Sequence, residues 1–142
     1  MIELSGFRFE TLCDDGEFVL SRINRRDDAQ TWLTVTLAAL QPAANSQARL
    51  EHAYELRSQL DGRFVTRPHA LIEHRGSAAL VLEDPGGVSL SALPNSSLPL
   101  DRFLEVAKSL AAALGALHGR GLVHRDIRPA NILVNAATGA WR

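Results

Sequence analysis

Apolar and polar residues alternate over Phe7-Arg8-Phe9-Glu10-Thr11-Leu12, the period-two signature of a half-buried strand, and Asp14-Asp15-Gly16 then carries turn chemistry. Phe18 to Ile23 predicts a second strand, and the polar run from Asn24 to Asp28 a hairpin loop. Thr31-Trp32-Leu33-Thr34-Val35-Thr36-Leu37, rich in β-branched and aromatic residues, predicts a third. Pro42 closes this region. Leu50, Ala53, Tyr54, Arg57 and Leu60 then recur at helical spacing, which predicts a helix over 46–60 with a narrow apolar stripe, ended by Asp61-Gly62. Short strands are expected at Phe64-Val65, at 70–73 and at 78–82, with a turn at Arg75-Gly76-Ser77. The serine- and proline-rich stretch from Ser91 to Pro99 reads as a surface connection. A long helix follows, with Asp101 as N-cap and its end near His118. Phe103, Leu104, Ala107, Leu110, Ala111, Leu114 and Leu117 form its expected buried face, and Gly119 and Gly121 are its stop signals.

Composition narrows the function classes. The 142 residues have the length of one domain, with 15 basic and 16 acidic side chains, so neither nucleic acid nor an anionic membrane is indicated as an electrostatic partner. Cys13 is alone, which excludes an intrachain disulfide and fits a reducing compartment. No secretory signal and no run of membrane-spanning length is visible, so a cytoplasmic location is expected. His52, His69 and His74 have no metal-ligand spacing with Cys13 or one another. Lys108 is the sole lysine.

Candidate chemistry is concentrated in His124-Arg125-Asp126-Ile127-Arg128-Pro129-Ala130-Asn131, between the apolar runs Gly121-Leu122-Val123 and Ile132-Leu133-Val134. This stretch resembles the catalytic loop of the protein-kinase superfamily, in which an Asp takes the substrate hydroxyl proton and an Asn five residues on binds magnesium. Glu83-Asp84-Pro85-Gly86-Gly87-Val88-Ser89-Leu90 resembles the hinge between that family's two lobes. The resemblance implies an α+β, protein-kinase-like fold. Its small lobe, a five-stranded antiparallel sheet with one helix, would occupy residues 1–83. The hinge and an incomplete large lobe, the first part of the helical one, would occupy 84–142. It also implies ATP and Mg2+ as cofactors. Asp126 is then the base, Arg128 the phosphate contact and Asn131 the metal ligand, while Leu20, Thr34, Leu82, Glu83 and Leu133 line the nucleotide.

Several parts of that nucleotide grip do not match the family's pattern. Cys13, Asp15 and Phe18 stand at the glycine positions of the phosphate loop, and Asp14, Asp15 and Glu17 bring carboxylates towards it. The lysine of the third strand falls at Thr36. Its helix partner falls at Ala53, with Glu51 and Glu55 each turned away by about 200°. Pro85 stands where a main-chain N–H would meet adenine, and proline has none. The chain reaches Trp141-Arg142 without an Asp-Phe-Gly motif. The motifs Leu-Glu-Asp-Pro-Gly-Gly and Leu-Val-His-x-Asp-Ile-x-Pro-Ala-Asn, with a helix beginning Leu-Glu-His, most resemble the kinase-like N-terminal domains of large bacterial hybrid sensor histidine kinases. That resemblance implies a two-component signalling context, and the departures above make the expected role there a degenerate regulatory module. Its partners would be the ATPase, sensor and histidine-kinase modules of its own polypeptide. Two other readings remain: a Ser/Thr phosphotransferase active in its full-length parent, and a small-molecule phosphotransferase, against which Arg125 argues because that group carries Gly before the Asp.

Overall fold

The computed structural model describes residues 4, 6–39, 43–93, 99–135 and 140–141. Pro42, the connection over 94–98 and the turn over 136–139 lie outside them. The chain forms two compact units, 1–58 with 67–84, and 59–66 with 85–142. The division therefore falls one residue later than the sequence suggests, after Asp84, and an eight-residue stretch before the fourth strand groups with the second unit.

The first unit is a five-stranded antiparallel sheet and one helix, the α+β arrangement expected. Its strands are β1 (Phe7–Asp14), β2 (Phe18–Arg25), β3 (Thr31–Leu37), β4 (Pro68–His74) and β5 (Ser77–Glu83), in the order β1-β2-β3-β5-β4. Arg75 and Gly76, both at positive φ (53° and 77°), make the two-residue turn between β4 and β5, whose backbone twist matches that of the strands it joins. On a flat sheet β1 and β4 would lie about 19 Å apart, four strand spacings. Yet the rings of Phe9 on β1 and His74 on β4 stack at 5.6 Å. The accumulated twist thus curls the sheet until opposite corners meet.

Cross-strand neighbours share a face, so register sorts the side chains. The curled-in face carries Phe9, Ser21, Ile23, Trp32, Thr34 and Val81, with Ile23, Thr34 and Val81 fully buried. The other face carries Leu20, Arg22, Leu33, Val35, Leu80 and Leu82. Helix α1 (Ala44–Glu55) packs against β4 and β5 and buries Leu50, and a 3-10 turn over Leu56–Gln59 extends it. Arg57, expected in the apolar stripe, is exposed and stacks its guanidinium on Tyr54 at 4.1 Å.

The second unit contains β6 (Val88–Ser89), a 3-10 turn (Leu90–Ala92), α2 (Leu100–His118), a 3-10 turn (Pro129–Asn131), β7 (Leu133–Asn135) and β8 (Ala140–Trp141), the strands pairing as β6-β7-β8. Phe64-Val65 is not a strand. Both amides donate to the Asp61 carbonyl, and the Asp61 side chain takes Arg63 N–H, which closes a turn. Arg120, just past α2, donates to the Gln59 carbonyl at 2.6 Å and approaches the Asp61 carboxylate at 3.4 Å. These bonds attach residues 59–61 to the end of α2. Pro99, not Asp101, is the N-cap of α2, and Asp101 lies in its first turn. The expected buried face is also corrected: Val106 and Leu117 are buried, whereas Phe103 and Leu104 are 54% and 49% exposed. Among the described residues no helix is long and apolar enough to cross a membrane.

Candidate functional site

The loop from His124 to Asn131 is built by its own polar groups. Asn131 Nδ2 donates to the main-chain oxygen of Asp126 and to its Oδ2, at 2.9 Å each. Arg128 Nε lies 3.3 Å from the same Oδ2. The Asp126 N–H donates to Nδ1 of His124 at 3.3 Å, so this exposed ring caps the loop. Arg125 adopts φ 66°, a left-handed conformation that glycine takes at no steric cost. Asp126, Arg128 and Asn131 are therefore brought together as the sequence suggests. Arg128, however, is turned back onto Asp126.

Support for the loop comes from β6. Ser89, fully buried, donates towards the carbonyls of Pro129 and Ala130 at 3.2 and 3.3 Å, and Leu90 N–H donates to the Ile132 carbonyl at 2.8 Å. Gly87, at φ 85°, lets β6 approach β7 closely, because a Cβ there would lie 2.0 Å from the Val134 carbonyl oxygen. This is why the residue immediately before β6 is Gly. Leu133, expected beneath the nucleotide, is buried in β7.

In the first unit the expected nucleotide residues do not share a surface. Leu20 and Leu82 lie on one face of the sheet, but Thr34 pairs with Ser21 and Val81 on the other. It is fully buried there, and its hydroxyl has no hydrogen-bond partner among the described residues. Side chains alternate along a strand, so the β3 residues on the face of Leu20 and Leu82 are Leu33 and Val35. The expected lysine position moves accordingly from Thr36 to Val35, and neither residue bears a charge. On α1, Glu51 and Glu55 are exposed, pairing with Gln47 at 3.0 Å and His52 at 3.5 Å, while Ala53 is half-buried. Glu83 is exposed at the end of β5, its N–H donating to the Arg67 carbonyl at 3.0 Å.

The turn between β1 and β2 does not fit a triphosphate. A phosphate loop works by presenting free main-chain N–H groups to anionic oxygens. Here Gly16 N–H donates to Asp14 Oδ1 at 2.9 Å, and Glu17 and Phe18 N–H donate to Asp15 Oδ1 at 3.0 and 2.7 Å. The chain's own carboxylates take the donors that a phosphate would need. Glu17 then turns to α1, accepting from Ser46 Oγ at 2.8 Å and from Arg49 Nη1 at 2.9 Å on both oxygens, with Arg49 also over the Phe18 ring. For the metal, the described residues contain no group of three His, Cys, Asp or Glu side chains able to hold an ion.

Sequence reasoning missed the ion pair at the end of β5. Arg22 Nε donates to Asp84 Oδ2 at 2.6 Å and Nη2 to Oδ1 at 3.2 Å, with the Asp84 side chain 1% exposed. The hydrogen bond to Asp84 is the main cause that raises the Arg22 pKa, against the opposing effect of burial. An Arg two residues after Leu20, on the same face of β2, was the available signal.

The comparisons with known proteins agree with the loop. A family model described as protein tyrosine and serine/threonine kinase matches residues 14–140. Serine/threonine-protein kinase PknD of Mycobacterium tuberculosis is 29% identical over 129 residues, 86% of this chain and 19% of that protein. Hybrid signal transduction histidine kinase G of Dictyostelium discoideum is 37% identical over 59 residues, 37% of this chain and 2% of that protein. Among solved structures, Rad53 1-466 in complex with AMP-PNP matches with a TM-score of 0.73 at 18% identity, over 96% of this chain and 37% of that one. The chain spans about a fifth of the length of the mycobacterial kinases it matches. With a family match that runs from the β1–β2 turn to β8, and with the Asp126–Asn131 loop in place, the chain belongs to the protein tyrosine and serine/threonine kinase family.

Proposed function

We propose that this chain is a degenerate, regulatory pseudokinase module of a bacterial signalling protein of the two-component type, acting in the cytoplasm on other modules of its own polypeptide. The observation that carries this reading is the β1–β2 turn, whose amides are bound to Asp14 and Asp15. The uncharged Val35 on β3 supports it, as do the outward Glu51 and Glu55. The partial likeness to a hybrid histidine kinase supports the two-component setting. A thermal-shift titration with ATP, with and without magnesium, tests the proposal. No shift is expected. A magnesium-dependent shift abolished by Asn131→Ala would overturn it.

A second reading, a Ser/Thr phosphotransferase active in the full-length parent, is favoured by one observation, the intact bonding of Asn131 to Asp126. Phosphate transfer by the full-length protein, lost in Asp126→Asn, would establish it.

A further inference from the structure

Asp84 is a carboxylate buried to 1% exposure at the end of a sheet, and its counter-charge comes from two strands away. By register Arg22 stands between Glu10 and Leu33, and Leu33 stands beside Leu82. Neighbouring strands lie about 4.8 Å apart, so a side chain that runs from β2 to Asp84 must cross β3. On that face it crosses diagonally, between Leu33, which is 1% exposed, and Thr31, because Asp84 lies two residues beyond Leu82. The planar guanidinium thus lies at the Asp84 end of the apolar surface that Leu33 and Leu82 form and Leu20 continues. This is the face of the first unit to which the family resemblance assigns the nucleotide base.

We infer that Arg22, anchored by Asp84, is a resident occupant of the base-binding face and keeps nucleosides off it. The inference rests on reading the chain as a kinase-fold module without nucleotide, and it adds a cause independent of the phosphate grip. A nucleoside that displaced Arg22 would take from the buried Asp84 carboxylate the guanidinium that holds both of its oxygens. A neutral purine cannot offset that cost. Exclusion therefore acts on the base itself, whatever the phosphate loop does.

The test uses adenosine, which has no phosphate, and the whole 142-residue chain. Wild type is expected to show no thermal shift. Arg22→Ala/Asp84→Ala removes both charges together and opens the face, and an apolar space of this kind accepts a flat ligand. Adenosine at ten times its Kd should then raise the Tm by about 3 °C. Arg22→Met/Asp84→Leu also removes the pair but refills the space, and should show no shift. If the small pair does not fold, Arg22→Ser/Asp84→Asn replaces it with the same expected gain. A folded small-pair variant blind to adenosine, or a refilled variant that binds equally well, would overturn the inference. Wild type shifting with magnesium and ATP but not with adenosine would instead count against the pseudokinase reading alone.

Discussion

Asn131 holds Asp126 twice, by the main-chain oxygen and by Oδ2, at 2.9 Å each. An amide nitrogen has two hydrogens, and both are used. The pair that identifies the family is therefore also a structural clasp around Pro129 and Ala130. Asn131→Ala is expected to cost about 1–2 kcal/mol, two hydrogen bonds at a partly exposed site. Asn131→Asp should cost more, because it sets a second carboxylate against Asp126. Urea unfolding of the two variants checks the order.

Gly86 and Gly87 should differ sharply when changed to Ala. At Gly87 the new Cβ would meet the Val134 carbonyl at 2.0 Å, and backbone cannot move aside cheaply. At Gly86 the nearest atom is the Asn135 side-chain Nδ2 at 2.9 Å, which can rotate away. Gly86→Ala is expected to cost roughly 1–2 kcal/mol, the price of the left-handed backbone. Gly87→Ala is expected to exceed about 4 kcal/mol and to abolish protection of the amides in β6 and β7 from hydrogen exchange.

The Glu17–Arg49 pair predicts a small effect despite its good geometry. Both side chains are nearly half exposed, at 46% and 47%, so solvent screens the attraction. A double-mutant cycle with Glu17→Gln and Arg49→Met should give a coupling of about 0.2–1 kcal/mol that shrinks with added salt.

His74 makes the first unit acid-sensitive. Burial, and secondarily the charge of Arg75, lowers its pKa below the ordinary 6.5. The unfolded chain then takes up the proton more readily than the folded one. The stability from neutral His74 stacked on Phe9 is fully present above about pH 6.5. It is lost as the pH falls through the lower folded value. His74→Phe, which keeps a ring in the stack, should flatten the fall in stability below that pH relative to wild type.

The order of strands and helices was legible in the sequence, because alternation in β1 to β3 and helical spacing in α2 are local signals. Faces were harder to read. In Thr31–Leu37 both faces are covered, with Leu33 at 1% and Thr34 at 0% exposure, so alternation does not say which face meets the nucleotide; placing the lysine position one residue late put Thr34 on that side, and only pairing with β2 and β5 corrects it. Phe64-Val65 has strand composition, but Asp61 closes it into a turn. The loop at 124–131 was legible because its chemistry is contiguous. The Arg22–Asp84 pair was not, since its members are 62 residues apart and meet only through the sheet register.

The central claim is that the chain has replaced phosphate by its own carboxylates in the β1–β2 turn. The most direct measurement follows the amide resonances of Gly16, Glu17 and Phe18 while ATP and magnesium are titrated in. Bound to Asp14 and Asp15, these amides should not move at millimolar nucleotide. Saturable shifts at all three would contradict the account.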